Sequence, residues 1–466
     1  MKDILFIIFL TVSSLQVSAQ SNCTPILDDI SSIQNNYRES PILSLSNLID
    51  GDSFSFFDGD GLTNLFDLGY TKGIWAGGVD SSGNLKVAAS GYGVRGYDFI
   101  SGPIWRDFQG EVELCDFFKR IWVLEGSEIL RLQDRFENGV LNVDNIPTDI
   151  LEWPARGNPY LSILIEEDLA PFFDFDQDGL YDPLRGDYPI ALSEAPTFIP
   201  SQFRFYVYND MTVHRESGGD PLEIEFQVIE WVVNCANSND SETSIFTRLN
   251  YINRGDEELR DFRIGLWEDG DLGCFTNDYV GCRPSLDATF AYNAEGIDPD
   301  TCSFGINVVP PDYGVVRSSV FFNRELENYI FYAFSNTGVF PIIGAPQLPG
   351  QYYNYLNGRW LDGSVLTHGG VGFNPGSIDT TSFAFLDLPT LEGGWSMESE
   401  ADLLFSIFFN SISVFGVHNI LAPSEIGTVD FADHILISES NLGLSVFDIY
   451  DESIEALKSD YNSMTE

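Results

Sequence analysis

Between residues 174 and 182 the chain reads Asp174-Phe175-Asp176-Gln177-Asp178-Gly179-Leu180-Tyr181-Asp182. Counted from Asp174, carboxylates fall at positions one, three, five and nine, Gly179 supplies a tight turn at six, and the Leu180 carbonyl stands at seven. This spacing wraps hard oxygen donors around one point, as Ca²⁺, with its roughly six to eight oxygen ligands, requires. Without a cation the same carboxylates repel one another. Position twelve, where an EF-hand places a bidentate Glu, is Arg185, so the last ligand must come from elsewhere; Asp187 is the candidate. A solvated Asp/Gly turn is the competing reading, but it leaves the position-by-position match without a reason. The expected ligands of a structural Ca²⁺ are therefore Asp174, Asp176, Asp178, Asp182 and Asp187 with the Leu180 carbonyl.

A second acidic cluster, Trp267-Glu268-Asp269-Gly270-Asp271-Leu272-Gly273 with Asn277-Asp278 beyond it, offers Asp269, Asp271 and Asp278 to another cation. No fixed template covers that spacing, and an exposed acidic loop reads equally well. The pairs Asp50-Gly51-Asp52 and Asp58-Gly59-Asp60 read as turns.

Catalytic signatures are missing. The four histidines are His214, His368, His418 and His434; His214, at a strand end, reads as a structural histidine. No G-x-S-x-G elbow, H-E-x-x-H helix, phosphate-binding loop or dinucleotide fingerprint occurs. Glycoside hydrolysis needs only two carboxylates about 5–10 Å apart, and 71 acidic residues supply candidates without identifying a pair. Trp and Tyr on an acidic β scaffold suit stacking on sugar rings, although core positions are the commoner place for the eight Trp. No catalytic residue is assigned.

The elements that must position these residues follow from composition and period. Of the 466 residues, 44% are hydrophobic and 20% charged, enough apolar surface for large cores and against wholesale disorder. Twenty-three basic against 71 acidic side chains leave a net charge of −48, which excludes nucleic acid as a natural partner. Met1 to Gln20 reads as an export signal: a Lys2 start, the apolar run Ile4–Val12, and a small-residue exit at Val17-Ser18-Ala19. No later segment is long and apolar enough for a membrane span. The mature chain is expected outside the cytoplasm, extracellular or periplasmic, where its six cysteines can form disulfides; Cys274 and Cys282, flanking a turn-rich stretch, are the favoured pair.

Period-two alternation dominates, so the fold expected is all-β, a multi-stranded antiparallel β-sandwich with a short C-terminal helix. Ile74–Val79 and Leu85–Ala89 should form a hairpin around Asp80–Asn84. The apolar phase slips between Val228 and Ile229, which predicts a β-bulge or bend there. Ile245–Tyr251 and Phe262–Leu266 should be hairpin neighbours across Asn253-Arg254-Gly255-Asp256. Helical spacing appears only from Asp451 to Met464, through Ile454, Leu457 and Tyr461. The expected divisions are a signal peptide over 1–20, a β region over 21–190 ending in the acidic loop, a β-sandwich over 191–450, and a helix and tail over 451–466.

The acidic loop is similar to the D-x-D-x-D-G-x-x-D loops of thrombospondin type 3 repeats and dockerins, which implies structural Ca²⁺. Further segments together resemble a group of secreted proteins from Bacteroidetes-type bacteria, many of which end in a type IX secretion sorting domain. They are Ile74–Asp80, Trp153–Asn158, Leu169-Ala170-Pro171 running on to Gly186–Pro189, Asp271–Gly273, Asp278–Cys282 and Tyr292-Asn293, then Trp360–Gly363, Thr367–Gly370 and Ala422-Pro423. Two departures stand out. Arg283 replaces the acidic residue that usually follows Gly-Cys, and the chain stops at Glu466 without room for a sorting domain of about 70–100 residues. Periplasmic residence, release by another route, or an incomplete sequence would each account for that, so these residues leave surface anchoring and release both open. The resulting expectation is a calcium-stabilised extracellular structural or adhesin-like module whose partners are an extracellular polysaccharide or a surface protein. The alternative is a carbohydrate-active enzyme or carbohydrate-binding protein that uses acidic and aromatic residues.

Overall fold

Stretches rich in Phe, Tyr, Val and Ile become strands, where branched and aromatic side chains pack best. The computed structural model describes residues 71–105, 117–233, 244–270, 272, 278–293, 315–333, 341–374, 376–400, 409–437 and 445–465. Before these, β1 (Ile33–Asn35), β2 (Phe54–Phe57) and β3 (Asn64–Asp67) are described by their backbone alone.

Two antiparallel sheets form the body. The larger runs in the order β14 (Asp278–Arg283), β15 (Ala288–Asn293), β16 (Val315–Phe321), β19 (Ile426–Ile437), β12 (Ser244–Asn253), β11 (Ile224–Val232) and β10 (Gln202–Asn209). The free side of β10 is shared by β6 (Ile100–Ser101) and β7 (Trp122–Glu125). The smaller runs β17 (Asn328–Ala333), β18 (Phe409–Leu421), β13 (Leu259–Asp269), β4 (Thr71–Val79) and β5 (Leu85–Ala89). Their inner faces meet through ring pairs such as Tyr251 with Phe262 and Phe321 with Phe415, which makes the body a β-sandwich. Strands from before residue 126 lie in both sheets, and one continuous apolar core spans Ile74 to Tyr461.

The β4–β5 hairpin forms as expected, closing at Val79 opposite Leu85. Asp80 Oδ1 accepts from the backbone N–H groups of Ser82 (2.9 Å) and Asn84 (2.8 Å), and Gly83 takes the left-handed φ of 88° that the turn needs.

Three local expectations are corrected. There is no bulge at Val228-Ile229, because β11 keeps unbroken register with β10 and β12. Nearly all of β11 is buried, so both of its faces take apolar side chains and the alternation blurs without an inserted residue. Nor is Asn253–Asp256 a hairpin turn, since β12 lies in the larger sheet and β13 in the smaller. The Asn253 side chain bridges the crossing, donating to the carbonyls of Glu257 (2.9 Å) and Leu421 (3.0 Å). Alternation fixes which face of a strand is buried but does not choose its partner. Finally, Cys282 is a free, buried thiol that donates to the Ala384 carbonyl at 3.2 Å, so the favoured bridge to Cys274 does not form. Its strand turns it into the core, where burial pushes the thiol well above its ordinary range. The other five cysteines and the predicted export signal lie outside the described residues.

Helices cover the edges and outer faces. Besides α1 (Gly126–Glu137), which buries Ile129 and Leu132 and was not expected, there are the short α2 (Thr148–Leu151) and α3 (Pro349–Leu356). The predicted C-terminal helix, α4 (Tyr450–Thr465), buries Ile454, Leu457 and Tyr461 against the larger sheet, with Tyr461 stacked on Phe322 at 4.1 Å. Among the described residues no helix is long and apolar enough to cross a membrane.

Candidate functional site

The acidic loop is clamped at its base by a short ladder, β8 (Phe172–Phe173) against β9 (Tyr188–Pro189), with the rings of Phe173 and Tyr188 stacked at 4.8 Å. Tyr181 pins the far side. It is fully buried, and its hydroxyl donates to the Ile150 carbonyl at 2.6 Å.

Between these anchors, Asp174 folds the turn. Its Oδ1 accepts from Gln177 N at 2.7 Å and its Oδ2 from Gly179 N at 2.8 Å. Gln177 and Gly179 both take positive φ, 62° and 77°, which costs the glycine little and the glutamine more. Asp187 returns beneath the turn, fully buried, with Oδ1 accepting from Phe175 N (2.9 Å) and Oδ2 from Asp182 N (2.8 Å). Burial pushes its carboxyl up to about 6, with the neighbouring charges of Asp174 and Asp176 adding to the rise against the pull of the two N–H groups.

One carboxylate oxygen from each of Asp174, Asp176 and Asp187 lies within 4.8 Å of the others. With Ca–O distances of about 2.3–2.6 Å, oxygens on opposite sides of one ion stand up to about 5 Å apart, so these three fit a single Ca²⁺. Among the described residues no other set of three His, Cys, Asp or Glu side chains converges in this way.

The side chains of Asp178 and Asp182 are engaged elsewhere. Asp178 accepts from Leu180 N through Oδ1 (2.9 Å) and pairs with Arg185 through Oδ2. The same guanidinium reaches Asp176 at 2.8 Å, so Arg185, at the position where an EF-hand holds its Glu, is a built-in counter-cation. Asp182 caps the short 3₁₀ turn Pro183–Arg185 through Leu184 N at 3.0 Å. The Leu180 side chain is half exposed and presses on Gly157. Of the second cluster, Asp269 accepts from the Tyr92 hydroxyl (2.6 Å) and Asp278 from Leu272 N (2.8 Å), while Asp271 lies outside the described residues.

Two of the histidines, His214 and His434, are buried and held by fixed partners. The two ring nitrogens of buried His214 lie 2.7 Å from the Val87 carbonyl and 2.8 Å from that of Asp210, the arrangement of a structural histidine. His434 lies 2.8 Å from Ser244 Oγ and 3.2 Å from Ser453 Oγ, with all three side chains buried under α4.

Between the sheets, Glu268 and Asp433 both accept from Ser319 Oγ, at 2.7 and 3.2 Å. Lys72 pairs with Asp433, and Arg317 lies 3.4 Å from Glu268 and 3.3 Å from Asp433. Burial raises both carboxyls. At Asp433, Lys72 and Arg317 outweigh it and hold the group below the usual range, whereas Glu268 stays above. The cavity beside Glu268 measures about 10 Å³, room for one water and not for a sugar.

The chain matches no model of a known protein family, and no curated protein shows significant sequence similarity to it.

Proposed function

We propose that this chain is a secreted β-sandwich protein stabilised by Ca²⁺ in its acidic loop, serving as an extracellular structural or interaction module. The observation that carries the reading is the convergence of Asp174, Asp176 and Asp187 inside a loop clamped at both ends. Asp187, oriented by two backbone N–H groups, anchors the site; Asp174 holds the turn, and Asp176 closes it from the solvent side. A bound Ca²⁺ supplies charge neutralisation and cross-links the two limbs of the loop. Binding to the folded state alone raises stability by mass action. The export-type N-terminus and the resemblance to secreted Bacteroidetes-type proteins support the location.

Calorimetric titration of the chelator-treated chain with Ca²⁺, with the melting temperature followed in parallel, tests the reading. Saturable binding with a rise in melting temperature is expected; its absence reduces the loop to an acidic turn. Asp176→Ala should lower the melting temperature in calcium and not in chelator, and an equal loss in both rejects Asp176 as a ligand.

A second reading, carbohydrate binding, is favoured by an open groove beside the loop.

A further inference from the structure

The stem of the acidic loop also builds a wall. Asp168 to Phe172, leading into it, and Ala191 and Ser193, leading out, stand over the outer face of the larger sheet and enclose with it a groove of about 410 Å³. That volume falls within the range of about 300–1,000 Å³ typical of small-ligand sites.

The floor follows from strand register. Gln227 on β11 lies opposite Asn250 on β12, and Asn250 opposite Thr428 on β19, a row of amide, amide and hydroxyl crossing three strands at about 4.8 Å per step. Gln227 donates to Glu225 (2.8 Å), and Thr428 donates to the Asn250 carbonyl oxygen (2.7 Å). Among the described residues this leaves the Gln227 side-chain carbonyl and the Asn250 amino group without protein partners, at the floor of an open groove. Beside this row, Ile229 and Arg248 form the next, and half-buried Pro171 and Phe172 give the wall an apolar surface.

Charge narrows the class of ligand. Arg248, the one cation among the described residues that line the groove, is already matched by Asp430 (2.7 and 2.8 Å) and Glu194 (2.6 Å), so an anion finds no open positive charge there, and the net charge of −48 repels polyanions. An extended peptide docks by adding a strand to a free sheet edge, whereas the floor is mid-sheet backbone already paired on both sides. Hydroxyl-rich rings with apolar faces and no charge match side-chain amides next to an apolar wall.

We propose that this groove binds a neutral oligosaccharide, which would be the partner of the interaction module proposed above and rests on that reading. The loop that holds the cation and the wall that faces the glycan are one continuous segment, so ordering the first sets the second.

The test is calorimetric titration of the full chain, calcium-loaded and chelator-treated, with neutral hexasaccharides of glucose, xylose and mannose, and with polygalacturonate as the anionic control. Saturable binding of at least one neutral hexasaccharide is expected, weakened about tenfold or more by Asn250→Ala and abolished by Ser193→Trp, an exposed position where the ring fills the groove. Both variants should keep the calcium-dependent rise in melting temperature, which shows that they fold. Failure of all three neutral sugars with that rise intact overturns the groove and spares the calcium reading. Binding that survives Ser193→Trp, or preference for polygalacturonate, also overturns it. Glycan binding with no calcium effect on melting overturns the calcium reading alone.

Discussion

Two regions of this molecule crowd carboxylates together and resolve the crowding in opposite ways. Between the sheets, Glu268 and Asp433 are answered by Lys72 and Arg317, two anions against two cations, all buried. In the loop, Asp174, Asp176, Asp178, Asp182 and Asp187 are answered, among the described residues, by Arg185 alone. The first region brings its own counter-charge and is closed; the second keeps a surplus that a divalent cation can neutralise. Acidic density alone therefore does not mark a metal site. What matters is how much of the charge is already matched by the protein.

The largest expected effect comes from breaking the internal balance. Lys72→Met leaves two buried carboxylates facing one guanidinium and should cost about 3–5 kcal/mol in denaturant unfolding, to the same extent with and without calcium. A calcium-dependent loss would mean that the two regions are coupled. Next, Asp187→Ala removes the acceptor for Phe175 N and Asp182 N as well as the proposed central ligand. It should cost about 1–3 kcal/mol in chelator and eliminate calcium binding; retained binding would assign the ion elsewhere.

The pH dependence sharpens the contrast. Because the folded-state value of Asp187 is raised to about 6 from an ordinary value near 4, its protonated form favours the fold. That contribution is complete below about pH 4 and is lost as pH rises through about 6. In chelator this group should lower the melting temperature across that window, and calcium, taking the place of the proton, should flatten the fall while its own affinity climbs. Parallel curves with and without calcium would contradict this linkage. The smallest effect belongs to Arg185→Gln, which removes the exposed guanidinium's pairs with Asp176 and Asp178, together worth about 1 kcal/mol or less. Its informative readout is calcium affinity, expected to rise once Asp176 and Asp178 are released.

Short-range features were legible in the sequence. The β4–β5 hairpin, the turn at Gly179 and α4 depend on residues a few positions apart, and each formed where spacing placed it. Asp187 was reachable only as a nearby spare carboxylate, and Arg185 looked like a departure from a template, not a counter-ion. What depended on partner choice stayed hidden. Lys72 and Asp433 are 361 positions apart, β12 and β13 part into different sheets, and the Gln227-Asn250-Thr428 row exists only once three distant strands are in register. The slip at Val228 misled because burial on both faces imitates an insertion.

The strand order has a consequence for how the chain matures. β19, the last strand of the described chain, lies between β16 and β12 in the larger sheet. Until residues 426–437 are in place, the strands on either side present unpaired edges, which are templates for intermolecular pairing. Such long-range closure is slow. A chain cut short of residue 426 should therefore aggregate and not settle into a smaller soluble protein, and the full chain should need protection from its own copies until its final strand arrives.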